Sequence, residues 1–109
     1  MNIYEMKWSN DEKKIARTAF DNAYKREMKE IKSLLLEKVS RLKTDSDLWA
    51  IEDFLTERRK VVDEKYDYRY SQLIVVFSRL LIEGYLSEDD IAELNDEKRE
   101  LIKKLSTGK

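Results

Sequence analysis

From Phe20 onward the apolar residues of this chain fall at Phe20, Tyr24, Met28, Ile31, Leu35, Val39 and Leu42, in steps of 4, 4, 3, 4, 4 and 3. This is an eleven-residue repeat at ~3.67 residues per turn, close to a straight α-helix and favouring a slight right-handed supercoil. No proline interrupts any part of the sequence, and its two glycines are Gly84 and Gly108. Such spacing without breakers predicts long helices. If helical from about residue 10 to 43, the segment would be ~51 Å long at ~1.5 Å per residue. A compact globule of this size has a radius of gyration of only ~13 Å. The expected molecule is all-α and elongated.

Helix ends can be read from the same sequence. Ser9 with Glu12 three residues later forms a capping box, hydroxyl and carboxylate each satisfying an orphan amide. Residues 1–8 then form an arm, loose or docked. "KTDSD" breaks the chain and offers Thr44, Asp45 or Ser46 as the next N-cap. A second helical region is expected from Leu48 to about Glu83, ending before Gly84 as a left-handed C-cap. Ile51, Val62 and Leu73 recur at eleven, as do Leu55, Tyr66 and Phe77. "KYDYRYS", residues 65–71, is poor in strong helix formers and is where that helix would kink or divide. "LIVVF", residues 73–77, has strand propensity, but flanks without turn residues favour a helix buried on most sides. A third segment opens at "LSEDDI", where Ser87 caps, Asp90 sits three on and Leu86 staples onto Ile91. Ile91, Leu94, Leu101, Ile102 and Leu105 then share one face.

Composition narrows the chemistry. The chain has 109 residues, enough for one all-helical domain over 1–109 with a modest core. Its 22 basic and 23 acidic side chains are interleaved, which gives solvated helix faces and no overall field for nucleic acid or anionic membranes. There is no cysteine and no histidine, so disulfides, thiolate chemistry, the commonest metal ligands and the usual neutral-pH base are excluded. The carboxylates form no site pattern, and there is no phosphate-cradling glycine loop or nucleophile elbow. Neither a cofactor, nor a metal, nor catalysis is expected. No run approaches ~20 apolar residues and no signal-peptide core opens the sequence, so a cytoplasmic protein is expected.

On a helical wheel of residues 48–63, Leu48, Ile51, Phe54, Leu55, Val61 and Val62 fall on one side. The opposite arc holds Glu52, Asp53, Thr56, Arg59, Lys60 and Asp63, and Trp49 falls inside it. A tryptophan there either tucks against the helix start or the N-terminal arm, is buried in a dimer seam, or anchors a partner. Tryptophan and arginine are the types most enriched at binding hot spots, with charged neighbours as the rim. Trp49, Glu52, Asp53 and Arg59 make one such patch. Arg58, by contrast, lands in the apolar face; it needs a partner, for which Glu27 is the candidate, or it snorkels to water at the edge. Other charges read as i,i+4 pairs, among them Asp21/Lys25, Arg26/Glu30, Glu37/Arg41 and Arg59/Asp63, the last a competing structural use of two patch residues.

The stretch "DLWAIEDFLTERRKVVDEKYDYRYSQLIVVFSRLLIEGYLSEDDIAELNDEK" resembles the fluorescence recovery protein family of cyanobacterial photoprotection, and "WSNDEKKIARTAFDNAYKRE" is similar to that family's first helix. The most specific pieces are "DLW..EDFL", "KYD.R" and "VF..LL.EG", and the likeness covers about residues 8–102. It implies a small helical homodimer joined through long helices. It also implies a non-enzymatic regulator that binds the C-terminal domain of photoactivated orange carotenoid protein. Such a regulator hastens the return from red to orange form and ends quenching of the phycobilisome. Carried over by position, the family's functional tryptophan, aspartate and arginine fall on Trp49, Asp53 and Arg59, and Leu48 matches an apolar position of the dimer seam. Glu52 departs from the family's usual histidine.

The expectation is thus an elongated homodimer whose two long helical segments form a stalk and whose residues near 70–105 form a smaller head. Leu35, Leu48, Ile51 and Leu55 are the candidate seam, and Trp49, Glu52, Asp53 and Arg59 the candidate partner-binding face. The alternative is a dimeric scaffold for an unrelated protein in a bacterium lacking the carotenoid photoreceptor.

Overall fold

The computed structural model describes residues 2–108. Four α-helices account for most of it: α1 (Asn10–Ser40), α2 (Asp45–Lys65), α3 (Leu73–Glu83) and α4 (Asp96–Ser106). There is no strand among the described residues. The molecule measures 53 × 24 × 22 Å with a radius of gyration of 16.8 Å, so it is elongated as expected. None of these helices is long and apolar enough to cross a membrane.

Local chemistry sets each start. Ser9 and Glu12 exchange side-chain and backbone hydrogen bonds at 3.1 Å to open α1. Of the three candidates at the tip, Thr44 is the N-cap of α2 and Asp47 returns the bond. Residues 41–44 turn the chain, and α2 runs back along α1. The pairings fix that direction: Lys38 lies 4.7 Å over the Phe54 ring, while Glu27 meets Arg58 and Lys65. This hairpin is the stalk.

The second helical region divides at the weak point. Tyr66 caps α2 with φ −87° and ψ 72°, and Asp67 N–H donates to the Lys65 carbonyl at 3.0 Å. That is an inverse γ-turn, which ends the helical ladder. A further turn at 69–72, closed by Gln72 N–H to the Arg69 carbonyl at 2.7 Å, leads into α3. Tyr66, Tyr68 and Tyr70 alternate toward α1 with the period of two of a non-helical chain, while Asp67 and Arg69 pair with each other on the other side. Their rings complete a ladder of six. Trp8, Tyr70, Tyr68, Phe20, Tyr66 and Tyr24 follow one another at centroid spacings between 4.8 and 5.9 Å, tilted or edge to face.

The head packs α3 and the turn at residues 88–91 against the first half of α1, with α4 packed on α3. "LIVVF" is helical, as expected, and Leu73, Ile74 and Phe77 are at most 1% exposed. Ala16, Ala19 and Ala23 on α1 are equally covered, and their small side chains let the head's apolar residues approach closely. Gly84 ends α3 at φ +85°, the left-handed cap expected of it. The third segment differs from expectation. Ser87 and Asp90 do form a capping box, but it opens only a 3-10 turn, Glu88–Ile91. α4 starts afresh at Asp96, with Asn95 as its cap. The N-terminal arm is docked: Trp8 is buried, with Lys98 Nζ 4.8 Å over its ring. Lys98 also donates to Glu12 and to the Lys7 carbonyl, closing the arm onto α4.

Candidate functional site

The base and the tip of the stalk differ in how α2 is held. Near its C-terminal end α2 is anchored, and its buried residues are Val62 and Lys65. Toward the tip nearly everything faces outward. Trp49 is 59% exposed and Leu48 47%. Nine residues separate Trp49 from Arg58, which at ~3.6 residues per turn puts them on opposite sides of the helix. The indole therefore points away from the chain's own core, as its place on the polar arc implied. It does not meet the N-terminal arm, which lies on the head.

Glu52, Asp53 and Arg59 are exposed alongside it. Arg59 Nε is 3.7 Å from Asp63, but both side chains are largely in water, so this pair constrains Arg59 little. Arg59 also edges an open groove between α1 and α2, floored by Tyr24, Met28, Ile31, Leu55 and Val62. Trp49, Glu52 and Asp53 share the outer side of α2, and Arg59 sits at its edge beside the groove. Of the residues expected in a dimer seam, Leu35 and Ile51 are half-buried and Leu55 is 38% exposed. Val39 of the eleven-residue stripe and Leu42 just past the end of α1 are left exposed, as are Tyr24 earlier in the stripe and Leu36 beside it.

Arg58 has the partner that its place on the apolar face required. Its Nη2 donates to Glu27 Oε2 at 3.3 Å, with 28% of the side chain still in contact with water, so pairing and snorkelling coexist. Sequence reasoning missed the rest of that junction. Lys65 Nζ lies 2.7 and 2.8 Å from the two Glu27 oxygens, the Tyr66 hydroxyl donates to Oε1 at 2.8 Å, and Lys65 reaches Glu83 at 2.6 Å. The available signal was Lys65 itself, seven residues from Arg58 and so on the same side of the helix. Burial and the hydrogen bond to Glu27 push the Tyr66 hydroxyl well above its ordinary value, keeping it a donor. Burial works against the Glu83 carboxylate, but Lys65 and Arg79 outweigh it and hold it below the usual range.

Several other expected charge pairs were redirected. Glu37 and Arg41 pair at 3.0 Å as read. Arg26 instead leaves Glu30 for Asp90 of the head at 2.7 Å, and Glu30 takes the Tyr85 hydroxyl. Asp21 pairs with Arg17 at 3.3 Å. Trp49, Glu52, Asp53 and Arg59 thus stand exposed on the stalk, with Arg59 loosely paired to Asp63.

The sequence profile described as "Photoprotection regulator fluorescence recovery protein" matches residues 8–106. The chain is 35% identical over 102 residues to the fluorescence recovery protein of Synechocystis sp., covering 94% of each. Its fold matches the solved structure of the Fremyella diplosiphon fluorescence recovery protein with a TM-score of 0.89 at 34% identity, over 93% of this chain and 99% of that one. The Synechocystis structure matches equally well, at a TM-score of 0.89 and 35% identity over the same shares. Almost the entire length of this helical hairpin and head is thus shared, and the chain belongs to the fluorescence recovery protein family, whose role is the regulation of photoprotection.

Proposed function

We propose that this chain binds a photoactivated receptor of the orange carotenoid protein type and hastens its return from the red to the orange form. It does so as a homodimer, through the outer face of α2. The observation that carries this reading is Trp49, 59% exposed and turned away from its own core beside Asp53 and Arg59. An exposed indole with a charged rim is the composition of a hot spot. No bond need be made or broken. The red form has separated domains, and a protein can speed their reassociation only by binding the compact transition state more tightly than the open state.

Glu52 favours a second reading. It sets an exposed carboxylate beside Asp53 where the family resemblance implies histidine, which suits a partner with a cationic surface and fits a helical scaffold for an unrelated protein.

Dark recovery of photoconverted orange carotenoid protein, followed by absorbance with and without this protein, separates the two. Acceleration is expected in micromolar excess. Trp49→Ala and Arg59→Leu should each weaken binding by ~2 kcal/mol, about thirtyfold in affinity, with the oligomeric state unchanged. No acceleration by the parent would give the place to the scaffold reading. Variants that dissociate or unfold the protein instead would make those two residues structural.

A further inference from the structure

Three parts of the chain meet at one buried carboxylate, and a fourth is joined to it through Lys65. Glu27 on α1 is 1% exposed and accepts from Arg58 and Lys65 on α2 and from Tyr66 on the connector. Lys65, 4% exposed, passes the contact on to Glu83 at the end of α3, which Arg79 also holds at 3.0 Å. Apolar contact fixes α2 only weakly, because Val62 is its one buried hydrophobic residue. Apolar surfaces tolerate rotation and sliding, whereas buried charges do not, since a displaced one is left without its donors. Arg58 and Lys65 are seven residues apart and share a side of the helix, so rotating α2 by one residue, ~100°, would withdraw both from Glu27 together. The side of α2 opposite this cluster is the one that carries Trp49.

We propose that Glu27 is a positioning residue: it latches the base of the stalk and fixes the rotational phase of α2, and thereby the direction in which Trp49 and Arg59 face. The head has an apolar core of its own, built on Phe77, Leu80, Ile91 and Ile102, and the latch meets it only at its edge, through Lys65 to Glu83 at the end of α3 and through the Tyr66 ring. The consequence for partner binding rests on the function proposed above; the latch itself does not.

The test compares the full-length parent with Glu27→Gln and Tyr66→Phe. Gln keeps the shape of Glu27 and removes its charge, while Phe deletes one donor and keeps the ring. Hydrogen exchange should accelerate by about tenfold or more over residues 54–66 in Glu27→Gln and by less in Tyr66→Phe, while α3 and α4 stay within about twofold. In dark recovery, a smaller fraction of correctly phased α2 should raise the half-saturating concentration of Glu27→Gln by about tenfold and leave the saturating rate unchanged. Unchanged exchange in α2 would overturn the proposal, as would equal acceleration throughout α3 and α4. Were Glu27→Gln unable to fold, Tyr66→Phe would decide by the same criterion of selective loosening. A parent that does not accelerate recovery would remove the functional reading and leave the exchange pattern to judge the latch.

Discussion

Arg58 and Arg59 are neighbours with the same chemistry and opposite surroundings. One is 28% exposed and donates to a buried carboxylate; the other is 85% exposed and only loosely paired. The difference is a rotation of ~100° about the axis of α2. Substituting each should therefore separate stability from recognition. Arg58→Met removes a donor from a buried charge and should cost about 1–3 kcal/mol. Arg59→Leu changes a solvated surface position and should stay within about 0.5 kcal/mol of the parent. Urea unfolding midpoints of the two variants check this, and an Arg58→Met protein as stable as the parent would mean that Lys65 and Tyr66 suffice for Glu27. Part of the cluster was legible because a charge on an apolar stripe demands a partner. Lys65 was not, since a lysine at the end of a helix ordinarily complements the dipole from solvent, and the fold alone shows that Glu27 and Glu83 meet there.

Ionisable groups supply several of the joints between elements beside the apolar core, and those joints should respond to pH. Burial works against the Asp90 carboxylate, but Arg26 and the Ser87 capping bonds outweigh it and hold its pKa below normal. At Glu12 burial likewise opposes ionisation, and the bonds from Ser9, Asn95 and Lys98 prevail. Folded values below the unfolded ~4 mean that this stabilisation is present above that pH and is lost as pH falls through the folded values. The tyrosines behave in the opposite sense. Burial pushes Tyr85 and Tyr68 up to about 12, so their contribution is present below ~10 and is lost as pH rises toward the folded value. The thermal midpoint should form a plateau that falls on both sides, and Arg26→Leu should lower the plateau and make the acid limb shallower, because less stabilisation is then lost when Asp90 is protonated. An acid limb as deep as the parent's would remove Asp90 from the account. These joints also show where sequence reasoning stops. The elevens in α1, the box at Ser9 and the cap at 44–46, left open among three residues, were legible because they are local. Tyr66 continued the eleven-residue pattern yet lies in a γ-turn, because such a pattern reports which side faces the core and the ring faces α1 without a continuing helix. The box at Ser87 marks the start of a turn and carries no information on how far that turn extends.

Across the whole molecule, the two ends of α1 have unequal fates. Its first half is buried beneath the connector and head, whereas its last ten residues run beside α2 with Leu36 70% and Val39 51% exposed. Leu48 and Leu55 add to that surface from the other helix. Two amphipathic helices alone cannot cover both of their apolar stripes, and a second copy of the same hairpin presents the matching surface. The patch residues lie on the same segment of α2 as this seam, so assembly and recognition would be neighbours on one helix. Light scattering should therefore give a two-chain mass at micromolar concentration. Leu48→Glu is the informative variant, because a carboxylate in the first turn of α2 suits the helix dipole and should not weaken the helix itself. Burying it in a seam would leave a charge without a partner. The expected outcome is a one-chain mass with helical content and Trp8 emission preserved, since Trp8 lies in the head core. A Leu48→Glu protein that keeps its two-chain mass would place the seam elsewhere and free the whole tip of the stalk for the partner.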